Sequence, residues 1–255
     1  MRKIIFLLIG LVAISWSLVS DKVIGDQVLK KLDELQTLQE DVSALVEIVE
    51  QDSEQGTKVM ESQFYGRNLQ DLFLMVLTRP ESEKGNGYLK VGGNFWMYRR
   101  NTRTFQHINR DENIAGSDAN AGDFETSKYL EQYRVSKNQE GKEIIGAEML
   151  GKIPVYRLDL IAKVPDVDYP RKTLWVRQDN FLPLKEQSFA LSGTLMYTHY
   201  YLGYTVVKGR YVAIKHLVVD EFEKGNKTMW EIKSIQYGPI DNKVFTKAYL
   251  ENLSK

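Results

Sequence analysis

His107, His199 and His216 are the side chains best suited to move protons near neutrality or to hold a metal. They lie far apart in sequence, and none has the short spacing that puts two imidazoles on one ion. Each falls within or at the end of a run that reads as a strand, which favours a hydrogen-bonded structural role. Ser192, in Leu191–Ser192–Gly193, is a hairpin residue outside any G-x-S-x-G elbow. Gly85–Asn86–Gly87 lacks the following helix that a phosphate cradle needs. Asp159, Asp166, Asp168 and Asp179 could be imagined as paired carboxylates, but they sit at strand ends and turns, where Asp is ordinary. No nucleophile–base pair can be named. The reading is a protein that is not an enzyme and uses neither cofactor nor metal. Arg99, Arg100, Arg103 and Arg110, interleaved with Tyr98 and Phe105, form the one basic cluster. It suits anionic lipid headgroups or an acidic partner surface, and it suits the solvated tip of a hairpin equally well.

These residues belong to a chain of 255 residues with 34 Lys+Arg, 34 Asp+Glu and no cysteine. That length can bury a sizeable core without staples. Neutral charge argues against a nucleic-acid partner, whose phosphates call for a basic excess. The missing cysteines exclude disulfides, thiol nucleophiles, cysteine-ligated zinc and iron–sulfur clusters. At the amino terminus Arg2 and Lys3 precede an apolar run from Ile4 to Ile14, followed by Ser15, Ser17 and Ser20. This is the layout of a secretory signal peptide, and it is shorter than the roughly 20 apolar residues that span a bilayer. Residues 1–20 are read as that signal and residues 21–255 as one domain, exported to the periplasm and soluble after cleavage. A lipid-anchored bacterial protein would need a cysteine at the cleavage point, and the chain has none.

From Asp21 to about Glu40 the residues Val23, Ile24, Val28, Leu32, Leu35 and Leu38 recur at helical steps. After Val42 short β-rich runs alternate with turns. Strands are expected at Thr57–Arg67, Leu69–Thr78, Gly87–Val91 and Phe95–Arg99. After an interruption rich in Gly, Ala, Asn and Asp, they resume at Arg134–Ser136, Lys142–Leu150, Val155–Ile161, Lys172–Arg177, Leu184–Leu191, Thr194–Leu202, Tyr211–Val219 and Lys227–Ile235. A short helix is expected at Thr246–Leu253. So many consecutive strands imply a large antiparallel meander, which curls as it twists and leaves a concave face. Several strands are apolar on both sides: Leu72, Leu74 and Val76 oppose Phe73, Met75 and Leu77. One solvated face should instead give alternation. The few helices offer little cover for so much apolar surface, which permits an internal cavity.

The order of these features resembles the LolA-like superfamily, in its outer-membrane lipoprotein-sorting branch. The resemblance rests on Gly87–Tyr98 with its glycine turn and W-x-Y strand, on Ile114–Ala115–Gly116–Ser117–Asp118, on Trp175–Lys185, and on Phe245–Leu250. It departs from the family at Arg100, where proline is common, and at Ala119–Phe124. The resemblance implies a mainly β half-barrel of antiparallel strands, with an amino-terminal helix and a lid formed by the 109–132 segment. It also implies a hydrophobic cavity for acyl chains. Arg67 is the positional match to an arginine that controls the lid in lipoprotein carriers. Candidate cavity liners are Leu72, Leu74, Val76, Trp96, Tyr98, Trp175, Phe189, Tyr197, Ile214 and Trp230, any one of which, taken alone, reads more readily as ordinary core. Arg99, Arg100 and Arg103 are candidate headgroup or partner contacts. The implied ligands are acylated lipoproteins, phospholipid or fatty acid, carried by a monomer between transient membrane-associated donor and acceptor proteins. Related half-barrels also serve as envelope-stress regulators that bind a lipid or lipoprotein signal and a membrane regulator, which is the rival reading.

Overall fold

The computed structural model describes residues 25–117, 122 and 128–254. The expected signal peptide and Asp118 of the G-S-D motif lie outside them. Helix α1, Gly25–Gln36, turns Val28, Leu29 and Leu32 inward as a buried stripe. Its Asp33 carboxylate accepts from the amides of Tyr129 and Leu130 at 2.7 and 2.9 Å. Those two bonds fix the short helix α2, Tyr129–Gln132, against α1.

Fourteen strands among the described residues form one sheet. The first meander is β1 Val42–Asp52, β2 Gly56–Arg67, β3 Leu72–Arg79, β4 Gly87–Val91, β5 Asn94–Arg99 and β6 Thr104–Ile108. The second is β7 Tyr133–Val135, β8 Ile145–Leu150, β9 Ile153–Ala162, β10 Arg171–Arg177, β11 Pro183–Phe189, β12 Leu195–Val207, β13 Arg210–Asp220 and β14 Lys227–Tyr237. The spatial order runs from β6 down to β1, then β14 down to β9 and on to β7, with β8 also on β9. β1 therefore joins the halves by pairing antiparallel with both β2 and β14.

Strands β1 and β6 add to those expected from sequence. β1 is half-disguised: Val42, Ala44, Val46 and Ile48 are buried, while Glu47 and Glu50 break the hydrophobic run. β6 is only five residues long, between a turn and a loop. β12 runs past its expected end to Val207, crossing Gly203 by two register shifts against β13. Lys208 and Gly209, both at positive φ, close that hairpin, the geometry that matches a two-residue turn to strand twist.

The two faces are covered differently. On the concave side Ala44, Val46, Ile48, Met60, Phe73 and Met75 pack with Tyr88, Phe95 and Ile114 of the 109–117 stretch. That stretch is held down by Lys58 Nζ, which donates to the Ala115 carbonyl at 2.9 Å, and by the Ala115 amide, which donates to Tyr88 Oη at 2.7 Å. In the other half the α1 stripe packs on Leu158, Leu160, Leu174 and Val176. On the convex side helix α3, Lys247–Leu253, sets Leu250 on Leu74, Val76, Leu89 and Tyr98. Gly87 permits this approach, because a Cβ there would lie 2.5 Å from Leu250 Cδ1 and 2.8 Å from the Met75 carbonyl. Elsewhere the convex face is a charge ladder in which Lys233 meets Glu47 and Glu231.

Candidate functional site

The curl of the sheet leaves two adjoining chambers on its concave side. The apolar one, about 230 Å³, is walled by Leu35 and Gln36 of α1, by Val42, Ala44 and Val46 of β1, by Tyr201, Tyr204 and Val212 at the β12–β13 bend, and by Trp230 and Ile232 of β14. The polar one, about 540 Å³, lies toward α2 and β10–β11. Gln36, His199 and Tyr201 line both.

An imidazole pair stands at this seam. His199 Nε2 is 2.9 Å from His216 Nδ1, and His216 Nε2 is 3.3 Å from the Ala213 carbonyl. A carbonyl only accepts, so His216 carries its proton on Nε2, and its Nδ1 accepts from His199 Nε2–H. Rings enclose the pair: His216 stacks on Trp230 with centroids 4.8 Å apart, and His199 stacks on Tyr201 at 4.4 Å. Burial holds both imidazoles neutral. It depresses His216 to about 4 and carries His199 well below its ordinary value, where His216 and Lys172 push further in the same direction.

The polar chamber is built on ion pairs. Lys172 Nζ lies 2.5 Å from Glu186 Oε1, and Tyr129 Oη donates to the other oxygen of that carboxylate. Burial alone would lower the Lys172 ammonium, but Glu186 beside it more than offsets this and leaves it raised. Tyr129 is raised well above the ordinary phenol by burial, then by Glu186. Lys90, itself buried, meets Asp71 at 2.5 Å, Lys128 meets the same carboxylate at 3.9 Å, and Arg110 meets Asp168 at 3.2 Å. One polar atom at the seam stands apart: Gln36 Nε2 is buried without a hydrogen-bond partner among the described residues. Among them, too, no three His, Asp or Glu side chains gather as a metal site.

Of the candidate liners, Trp230 walls the apolar chamber and Tyr197 the polar one. Leu74, Val76, Trp96 and Tyr98 lie elsewhere, in the convex cluster around Leu250, and strand alternation puts Leu72 on that same outer face. Trp175 is also on the outer face of β10, opposite Leu174 and Val176, and its indole N–H donates to Glu148 of β8. Phe189 and Ile214 are half-buried and line neither chamber. Arg67 grips the strand ends rather than the 109–117 stretch. It forks onto Asp41 at 2.9 and 2.7 Å, and donates to Asn242 and to the Ile240 carbonyl. Asp41 is held below the usual carboxylate range by those guanidinium bonds. Arg99, Arg100 and Arg103 are exposed around the β5–β6 turn, where the Arg100 amide donates to Asn86 at 2.9 Å. The sequence reading missed His199 and His216 as neighbours, and it missed Lys172, Glu186 and Gln36 altogether. The alternation Tyr197, His199, Tyr201 was the available signal, since it puts all three on one face.

One open, curled antiparallel sheet with a helix laid in its concavity and ligand-sized chambers beneath is the LolA-like fold. A LolA superfamily protein from Nitrosomonas europaea is 21% identical, aligned over 89% of this chain and 99% of its own, with a TM-score of 0.74. A structure described as an outer membrane lipoprotein-sorting protein domain, from Vibrio parahaemolyticus, is 15% identical over 89% and 98% of the two chains, with a TM-score of 0.76. A DUF1329 family protein from Desulfovibrio piger is 19% identical over 89% and 97%, also at 0.76. No curated protein matches the sequence. A family model described as "Uncharacterized protein" matches residues 69–252, most of the chain, and the chain belongs to that family.

Proposed function

We propose that this protein is a carrier that takes the hydrocarbon part of an amphiphile out of water by reversible burial, without covalent chemistry. The observation that carries the reading is the apolar chamber, walled by aromatic and aliphatic side chains and open beside a polar one. A hydrocarbon chain gains about 0.8 kcal/mol for each methylene buried. Its release then needs no bond to break. The likeness to a lipoprotein-sorting domain supports acylated lipoproteins or phospholipids as cargo. No helix among the described residues is long and apolar enough to cross a membrane. In this reading the protein, exported by its leader-like amino terminus, works in the periplasm as a monomer and passes cargo between membrane-associated proteins toward the outer membrane. Arg99, Arg100 and Arg103 are candidates for meeting an anionic surface during that exchange.

Displacement of a fluorescent fatty acid by saturated acids of increasing length tests this. Affinity should rise about fourfold per added methylene until the chamber is full. Lipid extracted from the purified protein should contain acyl chains. Absence of both displacement and extracted lipid would overturn the reading.

A further inference from the structure

The two chambers differ in chemistry and share the side chains of Gln36, His199 and Tyr201. We propose that the ligand is a zwitterionic, ester-linked amphiphile. Its chain lies in the apolar chamber, its ester carbonyl at Gln36, and its headgroup in the polar chamber. This rests on the carrier reading and adds the headgroup to it.

Charge is the first argument. The polar chamber holds four cations, all in the ion pairs described above, and Glu131 and Asp166 join the three paired carboxylates in its wall. A purely anionic head would gain only cations already engaged and would add a negative charge among five carboxylates. A purely cationic head would face the ammoniums of Lys90 and Lys172. A head carrying both signs can lay its phosphate beside an ammonium and its own ammonium beside a carboxylate, so every charge keeps an opposite neighbour. Tyr169 and Tyr197, edge to face at 5.9 Å in the same wall, add ring surface that favours an ammonium group.

Position is the second argument. Buried N–H donors are nearly always satisfied, so an unmet one marks a place where a partner belongs. Gln36 Nε2 is such a donor, and it sits where the chambers meet. In an ester-linked lipid the group between head and chain is a carbonyl, which accepts and cannot donate. The order of groups along the ligand thus matches the order of surfaces along the cavity.

Quenching of tryptophan fluorescence by chain-brominated probes tests this, because Trp230 walls the apolar chamber. Lysophosphatidylethanolamine should bind at least about tenfold tighter than lysophosphatidylglycerol or a free fatty acid of the same chain. Gln36→Leu should weaken the ester-linked probe by up to about tenfold and leave its ether-linked analogue unchanged. Trp230→Phe should remove most of the quench. Equal affinity across the three heads, or equal loss for ester and ether, would overturn the proposal. Should Gln36→Leu fail to fold, the headgroup series on the native protein still decides. If no brominated chain quenches whatever its head, the carrier reading itself has failed.

Discussion

Lys172 and Glu186 face each other inside the concavity, with 18% and 7% of their side chains exposed. A charge pair this enclosed contributes little beyond a well-packed apolar pair, but removing one partner strands the other. Lys172→Met should therefore lower unfolding free energy by about 3–5 kcal/mol, measured by urea denaturation. Lys172→Met/Glu186→Leu should recover much of that loss, and a double variant no better than the single would contradict the pairing. The His199–His216 pair makes a prediction in pH. Folding depresses His216 to about 4, so on acidification the unfolded chain takes up the proton first. Stability should be whole above about pH 6.5 and fall between there and about 4 by on the order of 3 kcal/mol for His216 alone, with the depressed His199 adding to the loss. Urea midpoints across that range should slope less in His199→Phe/His216→Phe; an unchanged slope would place the titrating group elsewhere. This pair was hidden in the sequence because seventeen residues separate its members. The two register shifts at Gly203 cancel, so Tyr201 faces His216 in the register that the Lys208–Gly209 turn sets, and what stayed hidden is the diagonal approach of His199 to His216 across that hairpin.

At the scale of elements, α3 is a short helix whose buried contact comes from Leu250. Leu250→Ala should destabilise by about 2–5 kcal/mol. Because the helix lies on the convex face, ligand affinity should stay unchanged in the folded fraction, as calorimetric titration would show. A parallel loss of affinity would mean that the faces communicate. The strands themselves were largely legible, since turn residues and period-two runs place most of them within a few residues. What could not be read was which face of each strand looks inward. In β3, Leu74 and Val76 are as apolar as Phe73 and Met75. α3 gives the outer set its own cover, so several candidate liners fell on the wrong side. The charged outer faces of β13, β14 and β1 are legible by contrast, because Lys215, Glu231, Lys233 and Glu47 can point only to water.

For the whole molecule, β1 and β14 lie in the middle of the sheet and β6 and β8 at its margins. Amide exchange should be slowest in β1 and β14, approaching the global unfolding rate, and fastest in β6 and β8. Mass spectrometry of exchanged peptides would show the order, and a central strand that exchanges like a marginal one would argue for two independently opening halves. The strand Ile145–Leu150 is mostly exposed, with Met149 at 60%. An edge of this kind is a template for unwanted pairing. Met149→Lys should reduce aggregation in light scattering and leave cargo binding untouched.

The pairing of β1 with β14 also fixes an order of events during synthesis. Val42–Asp52 leaves the ribosome long before its second partner, Lys227–Tyr237. Until then the first meander has one unsatisfied border, and so does the second along β13. Contacts this distant in sequence form slowly. A growing chain therefore stays unclosed, and receptive to a holding chaperone, until Lys227–Tyr237 has emerged.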